Sequence, residues 1–139
     1  MSDAQPLILL VEDEFSAVIP LKRVLEDEGF RVLTARNGQE GLTLLREHHP
    51  DITLTDLKMP VMGGIEMISE LRKDTWGKDA EVIILTNVSS PEVLEQALMH
   101  DTFYYFNKGD LSMESILEKI NARLVARGKA LPQKKQVNE

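Results

Sequence analysis

Short, mostly apolar runs alternate with longer helical patterns along this sequence, five times in all. The runs occupy residues 7–11, 31–35, 52–55, 82–85 and 103–106. Apolar residues at helical spacing follow each run, over residues 15–28, 37–49, 65–71, 91–98 and 112–127. Because short strands that alternate with helices pack as βα units, the pattern predicts an α/β fold with a doubly wound parallel sheet, right-handed crossovers and helices on both faces.

Capping residues mark where two of the predicted helices begin. Asn37 is followed three residues later by Glu40, which is the pattern of a reciprocal helix cap. Ser112 is an N-cap residue directly before the last helical pattern. The 139 residues have the length of a single domain. We therefore predict a folded domain over residues 1–127 and a polar, basic tail or linker stub over residues 128–139.

Composition excludes several classes of function. The sequence has no cysteine, so disulfides, cysteine-based zinc sites and thiol catalysis are excluded. A net charge of −7 makes non-specific binding to nucleic acid unfavourable, and we expect no direct nucleic-acid contact. The longest apolar run covers only residues 7–11, far fewer than a membrane span needs. We expect a cytoplasmic protein that does not contact a membrane.

Polar and charged residues follow the predicted strands at their carboxyl ends. Glu12 and Asp13 come after the first run, Asp56 after the third, Thr86 after the fourth and Lys108 after the fifth. In a doubly wound sheet the ligand site lies at these carboxyl ends. We therefore expect three carboxylates, a hydroxyl and an ammonium group at one edge of the sheet.

This set of groups points to a particular chemistry. Carboxylates held close together repel one another, and oxygen ligands without histidine or cysteine favour a hard cation such as Mg²⁺. A carboxylate can also attack phosphorus and form an aspartyl phosphate. The cation and one lysine would then neutralise the charge on the transferring phosphoryl group.

The sequence resembles the receiver domain of bacterial two-component response regulators. The matching segments are VEDE at 11–14, DLKMPVMGG at 56–64, LT at 85–86 and YFNK at 105–108. They lie in the family's order and on the expected elements, and the resemblance extends over about residues 7–127. It implies a flavodoxin-like, five-stranded sheet of order 2-1-3-4-5 with five helices.

The resemblance also implies a role for each residue of the predicted site. Asp56 would accept a phosphoryl group from a histidine kinase or a histidine phosphotransfer protein. Mg²⁺ would be held by Glu12, Asp13, Asp56 and the backbone carbonyl of Lys58. Lys108 would pair with the phosphoryl oxygens. The chain would then catalyse only its own phosphorylation and dephosphorylation, and would not be an enzyme acting on an external metabolite.

The same resemblance predicts how phosphorylation would be transmitted. Thr86 would move toward the phosphoryl group, and Tyr105 would swing into the space that Thr86 leaves. The face formed by the fourth helix, the fifth strand and the fifth helix would then bind an output partner protein differently. We expect a monomer or a weak homodimer.

Three residues depart from the family pattern or lie where they affect the chemistry. Gly109 follows Lys108 where the family usually has proline, which predicts a differently turned loop. Asn87 follows Thr86 where the family prefers a small residue. Lys58 lies near the path of a water attacking the acyl phosphate. We expect Lys58 and Asn87 to tune the lifetime of the phosphoryl group.

The sequence also bears on three other functions. A pseudo-receiver would bind partners without taking up phosphate, and the departures at Asn87 and Gly109 leave that alternative open. A phosphohydrolase of the aspartate-nucleophile type needs a second acid two residues after the nucleophile, where this chain has Lys58. A flavodoxin-like electron carrier needs a phosphate-binding loop after the first strand, where Glu12 and Asp13 would repel phosphate.

Overall fold

The computed structural model describes residues 5–86, 95, 104–107 and 112–134. They form a flavodoxin-like α/β fold around one parallel sheet whose strands lie in the order β2-β1-β3-β4-β5. The strands are β1 (Leu7–Val11), β2 (Arg31–Ala35), β3 (Ile52–Thr55), β4 (Val82–Thr86) and β5 (Tyr104–Asn107).

Four α-helices are present in the described part of the chain. They are α1 (Phe15–Asp27), α2 (Gly38–His48), α3 (Gly64–Leu71) and the C-terminal helix (Met113–Ala126), and a 3₁₀ helix covers Trp76–Asp79. The helix predicted over residues 91–98 lies outside the described residues, apart from Glu95, so the predicted total of five helices is not reached in this part of the chain. Within the same residues, no helix combines the length and apolarity that crossing a membrane requires.

The two faces of the sheet bury separate apolar layers. Successive side chains of a strand point to opposite faces. Ile8 and Leu10 therefore pack in the layer with α1 and the C-terminal helix, whereas Leu9 and Val11 pack in the layer with α2 and α3. Because helices cover both faces, every residue of β1 is buried, which explains its uninterrupted aliphatic sequence.

The predicted helix caps are confirmed. The Asn37 side chain accepts a hydrogen bond from the Glu40 backbone N–H at 2.9 Å, and the Glu40 carboxylate accepts one from the Arg36 N–H at 3.1 Å. The Ser112 hydroxyl oxygen accepts a hydrogen bond from the Ser115 N–H at 3.1 Å. The N–H groups of Glu40 and Ser115 are ones that the first turn of a helix leaves without a partner, whereas the bond from Arg36 joins the residue before the cap to the helix.

Two strands extend further toward the carboxyl edge of the sheet than their apolar runs do. β4 continues through Thr86, and β5 ends at Asn107, one residue later than predicted. Thr86 pairs with Asn107 in the parallel register. Backbone hydrogen bonding thus continues past the last apolar residue, because a polar residue pairs in a ladder as readily as an apolar one.

The opposite edge of the sheet, where the strands begin, is here called the amino edge. Glu81 precedes β4, and its buried carboxylate accepts two hydrogen bonds of 3.0 Å from the Arg123 guanidinium. Asp51 precedes β3 and accepts hydrogen bonds from the Leu7 N–H and from Lys129 Nζ, both at 2.8 Å. The segment after the C-terminal helix therefore contacts the body of the protein at this edge.

Candidate functional site

The three predicted acids converge at the carboxyl edge of the sheet. Glu12 and Asp13 follow β1, Asp56 follows β3, and these two strands are direct neighbours. The Asp56 N–H donates to the Val11 carbonyl at 3.0 Å, which fixes the start of the loop after β3 against the end of β1. One carboxylate oxygen from each acid lies within 4.8 Å of the other two.

The acids differ in their access to solvent. Glu12 is 6% exposed and Asp56 is 9% exposed, whereas Asp13 lies on the surface. Asp13 and Asp56 line the same depression, so Asp56 is reached from solvent past Asp13. A cleft of about 400 Å³ opens here, lined by Asp13, Glu14, Asp56, Lys58, Met59, Pro60 and Thr86.

Backbone amides contact two of the carboxylates. The Leu57 N–H donates to Asp56 Oδ1 at 2.7 Å, and the Glu14 N–H donates to Glu12 Oε1 at 3.2 Å. Hydrogen bonds of this kind fix the orientation of a carboxylate. The site therefore presents preoriented anionic oxygens.

Thr55 was missed in the sequence analysis. Its buried hydroxyl donates to the carbonyl oxygen of Asp56 at 2.8 Å. Its importance could have been suspected from the sequence, because two threonines, Thr53 and Thr55, occur in a strand of four residues that is buried throughout. A hydroxyl in such a strand needs a partner, because an unsatisfied buried polar group is costly.

The loop after Asp56 is held against the neighbouring helices. The Gly64 N–H donates to the Leu57 carbonyl at 2.9 Å, and a Cβ at Gly64 would lie 2.2 Å from the Asp56 carbonyl oxygen. Val61 has a φ of 68° at the centre of a γ-turn closed by the Met62 N–H and the Pro60 carbonyl. A β-branched residue in that region is strained, so the loop conformation is imposed by its surroundings.

The donor set fits a hard divalent cation. Mg²⁺ binds oxygen ligands at about 2.1 Å in an octahedron, so two of its ligands lie at most about 4.2 Å apart. The carboxylate oxygens of Glu12, Asp13 and Asp56 already lie within 4.8 Å of one another. Small side-chain rotations would bring them to that separation, and the cluster could therefore hold a metal ion.

The remaining predicted residues are placed as follows. Thr86 is fully buried at the end of β4 and lines the cleft, and Lys58 is exposed at its rim. The backbone of Tyr105 lies in β5 opposite Ile84. Lys108, Asn87 and Gly109 lie outside the described residues, so their predicted roles are taken up below as proposals.

Fold and site together define a signalling module of the receiver type, with an acidic cleft at the carboxyl edge of a flavodoxin-like sheet. Residues 8–121 match the response regulator receiver domain family. The match spans most of the chain, and the chain belongs to this family.

Similarity to individual proteins agrees with this assignment. The chain is 32% identical to Protein PilH of Pseudomonas aeruginosa over 117 residues, which cover 84% of this chain and 96% of PilH. It is 39% identical over 89 residues to the response regulator receiver protein Anae109_2439 of Anaeromyxobacter, covering 64% of this chain but only 37% of that protein.

Solved structures show the same architecture. The crystal structure of a CheY-like response regulator receiver domain protein from Methanospirillum hungatei superposes with a TM-score of 0.83 at 27% identity. The superposition covers 89% of this chain and 97% of that one. The similarity thus extends over most of both chains.

Proposed function

We propose that this chain is a phosphorylatable receiver of a two-component system or phosphorelay, in which Asp56 accepts the phosphoryl group. The observation that carries the proposal is the position of Asp56 at the base of an open cleft, with the Glu12 and Asp13 carboxylates within 4.8 Å. A histidine kinase or a histidine phosphotransfer protein supplies the phosphohistidine.

The chemistry follows from the groups in the cleft. A carboxylate oxygen of Asp56 attacks the phosphorus of the phosphohistidine, the nitrogen–phosphorus bond breaks, and the imidazole leaves with the bonding electrons and takes up a proton. The product is an acyl phosphate on Asp56. The Leu57 N–H, 2.7 Å from Asp56 Oδ1, holds the carboxylate in place during the attack.

Glu12, Asp13, Asp56 and the backbone carbonyl of Lys58 would hold Mg²⁺. When bound, the ion supplies positive charge that offsets the repulsion between the carboxylates and the incoming phosphoryl group. Lys108, in the loop after β5, would pair with the phosphoryl oxygens. The chain would in this way catalyse only its own phosphorylation and dephosphorylation.

The proposed switch lies next to the cleft. The Thr86 hydroxyl, at the cleft wall, would hydrogen-bond to the phosphoryl group, and the Tyr105 side chain would rotate into the space that Thr86 leaves. Residues 91–98 would form the fourth helix in chain order and, together with β5 and the C-terminal helix, the surface that binds an output partner protein. To shift such an equilibrium from 1:99 to 99:1 requires about 5.5 kcal/mol of differential interaction.

The proposal also covers the limits of the domain, its location in the cell and its assembly state. The receiver would occupy residues 1–127, with residues 128–139 as a tail or linker stub, and would act in the cytoplasm as a monomer or weak homodimer. Light scattering before and after phosphorylation tests the assembly state. The pseudo-receiver alternative has no support from the site, because the acidic cluster that phosphorylation requires is present.

Mass spectrometry after incubation with acetyl phosphate and Mg²⁺ tests the proposed function. We expect the mass gain of one phosphoryl group in the parent and none in Asp56→Asn, with the modified peptide containing residue 56. A parallel titration with beryllofluoride and Mg²⁺, followed by NMR, should shift the amides around Asp56. If neither reagent changes the parent protein, the proposal is wrong.

Lys58 and Asn87 are expected to set the lifetime of the phosphoryl group. Lys58 is exposed at the rim of the cleft, where a hydrolytic water approaches Asp56. The half-life of the phosphorylated protein should therefore change severalfold in Lys58→Ala and in Asn87→Ala. Lys78→Ala, an exposed lysine outside the cleft lining, serves as the control. Half-lives equal to that of the parent in both variants would contradict the prediction.

A further inference from the structure

We propose that Thr55 is a positioning residue for Asp56, and that it acts through the peptide group that joins Asp56 to Leu57. Its hydroxyl holds this peptide in the orientation that points the Leu57 N–H at the Asp56 carboxylate. The consequence for catalysis rests on the proposed function, whereas the contacts themselves do not.

Two hydrogen bonds meet at this one peptide group. Its carbonyl oxygen, that of Asp56, accepts from Thr55 Oγ1 at 2.8 Å, and its N–H, that of Leu57, donates to Asp56 Oδ1 at 2.7 Å. The two ends of a peptide group turn together because the group is planar. A rotation that breaks the bond at the carbonyl therefore also turns the N–H away from the carboxylate.

Burial makes the threonine hydroxyl hard to replace. Thr55 is 1% exposed and Asp56 is 9% exposed, and the cavity of about 180 Å³ that both line is mostly apolar. A water molecule there would find few polar partners, so it would replace the hydroxyl poorly. The first turn of α3 closes the other side, since a Cβ at Gly64 would lie 2.2 Å from the same carbonyl oxygen. The Asp56 carbonyl is thus held between the Thr55 hydroxyl and the backbone of α3.

The expected consequence is a loss of preorganisation. Without the Leu57 N–H at Oδ1, the Asp56 carboxylate samples orientations from which attack on phosphorus is slow. Loss of one buried hydrogen bond between uncharged groups predicts a decrease of about five- to tenfold in the phosphorylation rate.

The experiment compares three variants of β3. Thr55→Val removes the hydroxyl with little change of shape, and Thr55→Ser keeps a hydroxyl at the same position. Thr53→Val is the matched control, because Thr53 is also 1% exposed and lies on the same strand, with no role at the Asp56 peptide. We expect the maximal rate with acetyl phosphate and saturating Mg²⁺ to fall about five- to tenfold in Thr55→Val only, at unchanged half-saturation by acetyl phosphate.

Hydrogen exchange at the Leu57 amide provides a readout that needs no phosphorylation. We expect faster exchange in Thr55→Val than in the parent, Thr55→Ser or Thr53→Val. Parent-like exchange and rates in Thr55→Val would overturn the proposal, as would equal effects in Thr53→Val. If the parent does not react with acetyl phosphate but its Leu57 amide responds to Thr55→Val alone, the proposed function fails and the positioning role stands.

Discussion

At the amino edge of the sheet, Glu81 and Asp51 each lie beside a cation from the C-terminal region, whereas at the carboxyl edge three acids lie beside one another. The side chain of Glu81 is only 1% exposed and is 3.0 Å from the Arg123 guanidinium. The carboxylate oxygens of Glu12, Asp13 and Asp56 are brought within 4.8 Å. Acidic side chains thus occur at both edges, but they lie beside cations at the amino edge and beside one another at the carboxyl edge.

The comparison separates acids that stabilise the fold from acids that serve the site. A buried carboxylate with a bidentate arginine joins two elements, here the start of β4 and the C-terminal helix. Carboxylates that lie close together repel one another, and the same closeness makes a cluster that could hold a cation. We therefore expect the carboxyl edge to contribute less to the stability of the fold than the amino edge does.

Removal of Arg123 should have the largest effect on stability. Arg123→Met leaves the Glu81 carboxylate buried, with Arg127 Nη1 at 3.4 Å as a remaining neighbour. Breaking a buried ion pair on one side costs about 3 kcal/mol, measurable by urea unfolding. Arg23→Met, on the exposed surface of α1, is the control and should change the free energy of unfolding by less than about 0.5 kcal/mol. Equal losses in the two variants would remove the distinction between the edges.

Gly29→Ala should have the next largest effect, also at the amino edge. Gly29 has a φ of 101°, and a Cβ there would lie 2.1 Å from the carbonyl oxygen of Gln133. The variant therefore combines backbone strain with displacement of the segment after the C-terminal helix, and we expect a loss of about 2–3 kcal/mol.

Gly128→Ala is the matched control for this prediction. Gly128 also has a positive φ, 71°, but no atom lies within 4 Å of the position of its Cβ. Gly128→Ala should therefore lower the free energy of unfolding by the backbone strain alone, about 1 kcal/mol. If the two alanine variants lose the same stability in urea, the contact between Gln133 and Gly29 contributes nothing.

At the carboxyl edge, in contrast to the amino edge, removal of a charged side chain should increase the free energy of unfolding. Asp13→Asn removes one charge from the acidic cluster, and we expect the metal-free protein to gain about 0.5–1 kcal/mol because repulsion decreases. Mg²⁺ affinity, followed by NMR, should fall in the same variant. Glu118→Gln removes an exposed acid from the C-terminal helix and should leave both quantities unchanged. A loss of stability in Asp13→Asn would show that the cluster is not repulsive.

The two edges also differ in how much of them could be predicted from the sequence. The acids of the carboxyl edge were found because they come at the ends of predicted strands, and parallel strands bring such positions together. The caps at Asn37 and Ser112 are likewise local patterns. Glu81 and Arg123 are 42 residues apart, and no local pattern indicates that they meet. The same holds for Gln133 and Gly29, whose contact depends on the path of the chain after the C-terminal helix.

The role of Thr55 was hidden for a different reason. A threonine in a strand is compatible with any β-structure, and the sequence does not reveal the direction of its hydroxyl. Only the structure shows that this hydroxyl donates to the Asp56 carbonyl. β4 and β5 end one residue later than predicted, at Thr86 and Asn107. An apolar run indicates burial, and it does not indicate where backbone hydrogen bonding stops.

The smallest effect is expected for Lys129, which tests whether burial or mere proximity makes the amino edge stabilising. Its side chain is 46% exposed and pairs with Asp51 at 2.8 Å, a distance no longer than that between Arg123 and Glu81. Because water and salt screen an exposed pair, Lys129→Met should cost about 0.5 kcal/mol or less, and the difference should vanish in urea unfolding at high salt. A cost near that of Arg123→Met would mean that burial of Glu81 is not what distinguishes the two pairs.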